Sequence, residues 1–221
     1  MYTCDLNVLC TLLQRAPKQN PEAIQQWLEQ DYPRLRAQAA QEGAVIYCGD
    51  ETAVKEDAHW VRGYAPRRQT PVLAVPARWT SLPMISAISP RGEVAFQIVE
   101  GSINAERFIV FLSALIENAS RKIYLVVDNL RVHHAQVVTA WLDDKKDRIE
   151  LAFLPPDAPE SNPDEYLSRD FKTALRSGPV STDKTSLLEK AKAFMEGLRQ
   201  TPQKVANYFC HPAARYAMSD I

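Results

Sequence analysis

The run Lys122–Val127 is the most strand-like stretch of the chain, and it ends at Asp128-Asn129. Its β-branched and aromatic apolar residues predict a strand delivering a carboxylate at its C-terminal end. The segments around it fix the class of fold. Ala44–Cys48 is a second short apolar run, finishing at Gly49-Asp50-Glu51. Pro83–Ser89 and Glu93–Val99, separated by Ser-Pro-Arg-Gly, predict a hairpin. Asn104–Asn118 predicts an amphipathic helix capped by Asn104, with Phe108, Phe111, Leu112, Leu115 and Ile116 on one face. A helix over about His134–Asp143, the strand Ile149–Leu154 and a helix from Pro163 through Leu175 follow, and Lys184–Arg199 is a further helix. Strand, hairpin, helix, strand, helix, strand, helix is the order of an α/β domain with a mixed sheet and helices on its faces.

Upstream, residues 20–42 predict helix opened by Asn20-Pro21 and ended by Gly43, with Pro33 dividing it into two short helices. The expected organisation is an N-terminal helical extension over 1–43, a central domain over 44–200 and a tail over 201–221. A chain of 221 residues buries about 70% of its unfolded surface, enough for a sizeable core. No apolar run approaches the ~20 residues of a membrane span, and the N-terminus carries no signal-peptide pattern, which predicts a cytoplasmic protein without membrane contact. Cys4, Cys10, Cys48 and Cys210 show no zinc-ligand spacing.

Charge is informative through its placement. The net formal charge is −1, yet Ala58–Gly92 holds Arg62, Arg67, Arg68, Arg78 and Arg91 with no acid among them. Trp60, Tyr64 and Trp79 are interleaved. Such a stretch either lines a phosphate backbone or forms a solvated basic face.

Three acids stand where the sheet gathers them. Asp50 and Asp128 close strands, with 77 residues between them, and Glu165 opens a helix after 36 more. Carboxylates held together repel, and a divalent cation resolves the conflict. A pair of such ions about 4 Å apart activates a nucleophilic oxygen and stabilises the leaving oxygen of a phosphodiester. Each Asp read alone is equally a turn former or a helix cap.

The segments IYCGDET (46–52), VRGYAPRRQTPV (61–72), YLVVDNLRVHHAQVV (124–138) and LAFLPPDAPESNPDEYLSRDFK (151–172) resemble, in order, the catalytic domain of bacterial insertion-sequence transposases of the mariner superfamily. The last is the most specific: Leu154-Pro155, Pro159-Glu160, Asn162-Pro163, Glu165 and Lys172 match the family pattern, as do Asp128, Asn129 and His133. The resemblance implies a ribonuclease-H-like fold and the catalytic, metal-binding triad Asp50, Asp128 and Glu165. It implies two Mg²⁺ ions, replaceable by Mn²⁺, and cutting and joining of transposon-end DNA. Asp164 competes with Glu165 by proximity alone, and the motif favours Glu165.

Other assignments carry an alternative. Arg62, Arg67 and Arg68 lie in the segment the family uses near DNA, or in a solvent-facing loop. Lys172 either reaches phosphate or is a surface lysine. His133 contacts phosphate or a metal-bound water, or is structural. Asn129 is expected to orient Asp128, and Asn162 to cap the Glu165 helix. Ser168 stands where many relatives carry Trp. Family members have an N-terminal helix-turn-helix region that residues 1–19 do not supply, which leaves open a fragment, a catalytically silent remnant or a partner helix-turn-helix chain. Family behaviour implies a homodimer.

Overall fold

The structure is a computed structural model in which residues 20–55, 66, 81–177 and 183–218 are described. The stretch with Arg62, Arg67 and Arg68, like Cys4 and Cys10, lies outside them.

The described residues form a five-stranded mixed sheet in the order β3-β2-β1-β4-β5, with β1 at Val45–Lys55, β2 at Ser81–Ile88, β3 at Val94–Ile98, β4 at Ile123–Val127 and β5 at Ile149–Phe153. β1, β2 and β3 are antiparallel neighbours, whereas β4 runs parallel to both β1 and β5. The expected hairpin is β2–β3. The helix expected before β4 is α3, Ala105–Glu117, whose cap is Asn104 accepting from the Arg107 amide at 3.0 Å. The helix between the parallel strands is α4, Gln136–Asp143.

Side chains alternate across a strand, so each strand supplies two cores. Cys48, Val54, Leu82, Met84, Ile88 and Val126 point to α5 (Pro163–Arg176), α6 (Lys184–Arg199) and α7 (Pro202–Tyr208). Ile85, Ala87, Leu125 and Val127 point instead to Phe108, Leu112 and Val138 of α3 and α4. Helices therefore cover both faces. Phe108 and Phe171 are wholly buried, one in each core, and truncation of either to Ala costs about 3–5 kcal/mol.

Two expectations are corrected. Pro33 does not break the upstream helix. It sits at the start of α2 (Tyr32–Glu42), joined to α1 (Pro21–Gln26) by a π-helical turn over Trp27–Asp31. The wider turn accommodates the missing proline N–H without ending the helix. Gly43 then ends α2 at φ 62°, left-handed as its type allows. After residue 200, Val205, Phe209 and Ala217 complete the core that also holds Trp27 and Tyr32. Finally, β1 does not stop at Cys48. Beyond that residue it leaves β4 and continues to Lys55 on backbone bonds to β2 alone, from Cys48↔Ile88 to Lys55↔Ser81.

Among the described residues no helix is long and apolar enough to cross a membrane, and Cys48 and Cys210 are free thiols.

Candidate active site

The site lies where β1 and β4 part. Their ladder runs from Val45↔Ile123 to Cys48↔Val126, and β4 ends one residue later. Asp50 therefore sits on a strand with a partner on one side only, opposite Ser86 of β2. The close approach of β2 explains the glycine before it: a Cβ at Gly49 would meet the Ser86 carbonyl oxygen and Leu125 Cδ1, each at 3.1 Å.

Asp50 and Glu51 are consecutive on a strand and so face opposite sides. Asp50 faces α5, where Ser168 Oγ donates to its Oδ2 at 3.2 Å. Asp128 follows β4 directly and its Oδ1 accepts from the Leu130 amide at 3.0 Å. Its side chain is 42% exposed. Glu165 arrives on the first turn of α5. Asn162 fixes that turn: its Oδ1 caps the Asp164 amide at 3.1 Å, and its Nδ2 donates to the Gly49 carbonyl at 2.9 Å. One buried amide thus ties the helix bearing Glu165 to the strand bearing Asp50.

Asp50, Asp128 and Glu165 consequently line one cleft of about 360 Å³, together with Asn129, Leu130 and the Leu154–Pro159 turn. Asp157 adds a fourth carboxylate, and no Lys, Arg or His is among the lining residues. The Asp50 carboxyl is pushed up to about 8, first by loss of water and then by the charges of Glu165, Glu51 and Asp128, with the Ser168 bond pulling against them. Like charges are gathered here, and among the described lining residues no cationic side chain offsets them.

Asp164 shares a turn with Glu165 and has a different fate. It is wholly buried, its Oδ2 accepts from Ser86 Oγ at 2.7 Å, and its Oδ1 has no partner. Burial and the Asp50 charge lift its carboxyl well above the usual range, against the Ser86 bond. Asp164 is absent from the cleft lining, whereas Glu165 is part of it.

Other expected residues fall in mixed positions. Asn129 lines the cleft, but its amide donates to the Leu154 carbonyl, tying β4 to β5, and it does not hold the Asp128 carboxylate. His133 is 1% exposed. Lys172, half-buried on α5, is not part of the cleft. Sequence reasoning passed over Ser86, Ser168 and Glu51. A serine in a strand and another in a helix carry no local signal. Glu51 was overlooked because its neighbour Asp50 already explained the motif.

Glu51, Asp128 and His133 offer ligand atoms within 4.8 Å of one another. They are hydrogen-bonded directly: His133 Nε2 lies 2.7 Å from Glu51 Oε1, and Nδ1 lies 3.0 Å from the Asp128 carbonyl. Burial opposes a charge on this ring, but the Glu51 bond and charge, aided by Asp128, outweigh it and leave its pKa raised.

Comparison with known proteins places the chain. Residues 45–187 match the profile of the DDE superfamily endonuclease family. A comparison with curated protein sequences gave no match. Among solved structures, the Mos1 transposase paired-end complex with left transposon end is 16% identical at a TM-score of 0.61, over 96% of this chain and 68% of that one. The Mos1 mariner paired-end complex with Mn is 13% identical at a TM-score of 0.63, over 92% of this chain and 65% of that one. The catalytic domain of Mos1 mariner transposase, 13% identical at a TM-score of 0.55, is covered over 98% of its length by 92% of this chain. The chain thus spans about two thirds of the Mos1 chains in the two complexes and nearly the whole of the isolated catalytic domain. At such identities the likeness is one of fold. The profile covers well over half of the sequence, and the chain belongs to the DDE superfamily endonucleases, with the ribonuclease-H-like fold of a mariner transposase catalytic domain.

Proposed function

We propose that this chain is the catalytic domain of a DNA transposase, cutting and joining transposon-end DNA with divalent cations held by Asp50, Asp128 and Glu165. The observation that carries the reading is the single cleft onto which all three carboxylates open, with no cation among its described lining residues.

The donor set fits Mg²⁺ or Mn²⁺. It is all oxygen, and it combines carboxylates on three separate elements with an open cleft for a phosphodiester. When bound, a pair of such ions polarises the scissile phosphate and lowers the pKa of the attacking oxygen. The chain's own residues do the remaining work. Asn162 holds the Glu165 turn against β1, Ser168 orients Asp50, and the Leu130 amide orients Asp128. The wall from Leu154 to Pro159, with three prolines, is stiff and places no competing cation at the acids.

The substrate is DNA, with Arg62, Arg67, Arg68 and Lys172 as phosphate contacts, and assembly is a homodimer acting with a helix-turn-helix chain or segment in the cytoplasm. The Mos1 transposase structures with a left transposon end and with Mn support this reading.

The test is nicking of supercoiled plasmid DNA with Mn²⁺ or Mg²⁺. Metal-dependent nicking lost in Asp128→Asn is the expected result. DNA binding without metal-dependent cleavage would make the chain a silent remnant and overturn the proposal.

A further inference from the structure

The imidazole of His133 stands where the backbone ladder no longer reaches. β1 and β4 exchange bonds only up to Cys48↔Val126. Past that point, among the described residues, no β1–β4 backbone pair spans from Glu51 on β1 to Asp128, which follows the end of β4. The ring spans the gap, with Nε2 2.7 Å from Glu51 Oε1, and Nδ1 3.0 Å from the Asp128 carbonyl and 3.4 Å from Asp128 Oδ1. A carbonyl only accepts, so Nδ1 carries a proton and the ring has one orientation. Its side chain is fully buried and tilted against Phe108, with ring centroids 4.6 Å apart. Glu51 is equally enclosed, at 7% side-chain exposure.

Direct bonding argues against an ion at this cluster. Two ligands on one small ion, each about 2.0–2.2 Å from it at a tetrahedral angle, stand more than 3 Å apart. The nitrogen-to-oxygen distance here is 2.7 Å, that of a charge-assisted hydrogen bond.

We propose that Glu51 and His133 are a positioning pair, a side-chain rung that continues the β1–β4 ladder and sets the spacing between Asp50 and Asp128. It rests on the reading of Asp50, Asp128 and Glu165 as the cation ligands. Glu51 and His133 touch neither cation nor DNA. They act through the backbone of β1 and through Asp128, in the way outer partners of metal ligands hold their orientation.

The test combines calorimetric titration of the full chain with Mn²⁺ and amide hydrogen exchange without metal. His133→Asn keeps a donor near the Nδ1 position and loses the reach to Glu51. Glu51→Gln keeps shape and an acceptor and loses the charge. Val138→Ala, in the same core as Phe108, lowers Tm without touching the rung. His133→Asn is expected to raise the Kd for Mn²⁺ about 10- to 100-fold, Glu51→Gln to raise it less, and Val138→Ala to leave it unchanged. In the metal-free protein His133→Asn should speed exchange at Asp128–Leu130 and spare Tyr47 and Val126 in the ladder. Folded His133→Asn and Glu51→Gln proteins with wild-type Kd would overturn the proposal. If the wild-type chain binds no Mn²⁺, the ligand reading fails, and exchange alone then decides the rung: faster at Asp128–Leu130 supports it, unchanged overturns it.

Discussion

The two faces of β1 treat neighbouring acids in opposite ways. On the α5 face, Asp50 and Asp164 have only hydroxyl partners, Ser168 and Ser86, and both carboxyls are lifted far above their ordinary range. On the α3 face, Glu51 meets an imidazole at 2.7 Å. On the first face no described cationic side chain meets the acids. The other face pairs its own. The difference teaches that the acids were not gathered for stability, because a fold seeking stability would have paired Asp50 as it paired Glu51. Carboxyls perturbed by burial and by one another in a cleft mark a candidate functional site, which is the basis of the proposed cation site.

The sharpest way to break the comparison is to remove the proposed ligands one at a time. Asp50→Asn, Asp128→Asn and Glu165→Gln are each expected to lower metal-dependent nicking on the order of 10³-fold, the scale for losing one preorganised electrostatic group. Asp164→Asn, beside Glu165 but outside the cleft, should stay within about tenfold of wild type, since an amide keeps the Ser86 bond. Plasmid nicking rates check all four. Equal losses in Asp164→Asn and Glu165→Gln would erase the distinction between the neighbours.

A second effect concerns pH. The folded-state pKa of Asp50 is about 8, against about 4 in an unfolded chain. Between those values the folded protein retains a proton that the unfolded chain has released, so raising pH favours unfolding. Metal-free Tm should therefore fall as pH rises from about 4 to about 8 and level off above. Asp50→Asn should lack this part of the decline and melt higher than wild type at pH 8, whereas Mn²⁺ should remove the decline in the wild type. Thermal melts across pH check the sign.

The smallest expected effect is that of Ser168→Ala. It deletes the one hydroxyl that favours the charged form of Asp50, so Mn²⁺ affinity near pH 7 should drop by about 3- to 10-fold. Titration at pH 9, where Asp50 is ionised in both proteins, should narrow the gap.

Much of this arrangement was legible in the chain. The strong run before Asp128 marks a strand end because β4 is short, apolar and followed at once by a turn. The Asn162-Pro163 pair announces a helix start, and the structure adds that Asn162 also grips Gly49. The continuation of β1 was illegible, because Gly49, Asp50 and Glu51 disfavour strand and are held extended by β2, distant in sequence. The Glu51–His133 contact was hidden for a related reason: 82 residues separate the pair. Ser168 looked like a departure from the family pattern, and its hydroxyl lies on Asp50.

The most direct measurement is an anomalous difference map from crystals grown with Mn²⁺. The expected result is density between Asp50, Asp128 and Glu165, with His133 still bonded to Glu51. Density with His133 as a ligand, or none at saturating Mn²⁺, would contradict the account.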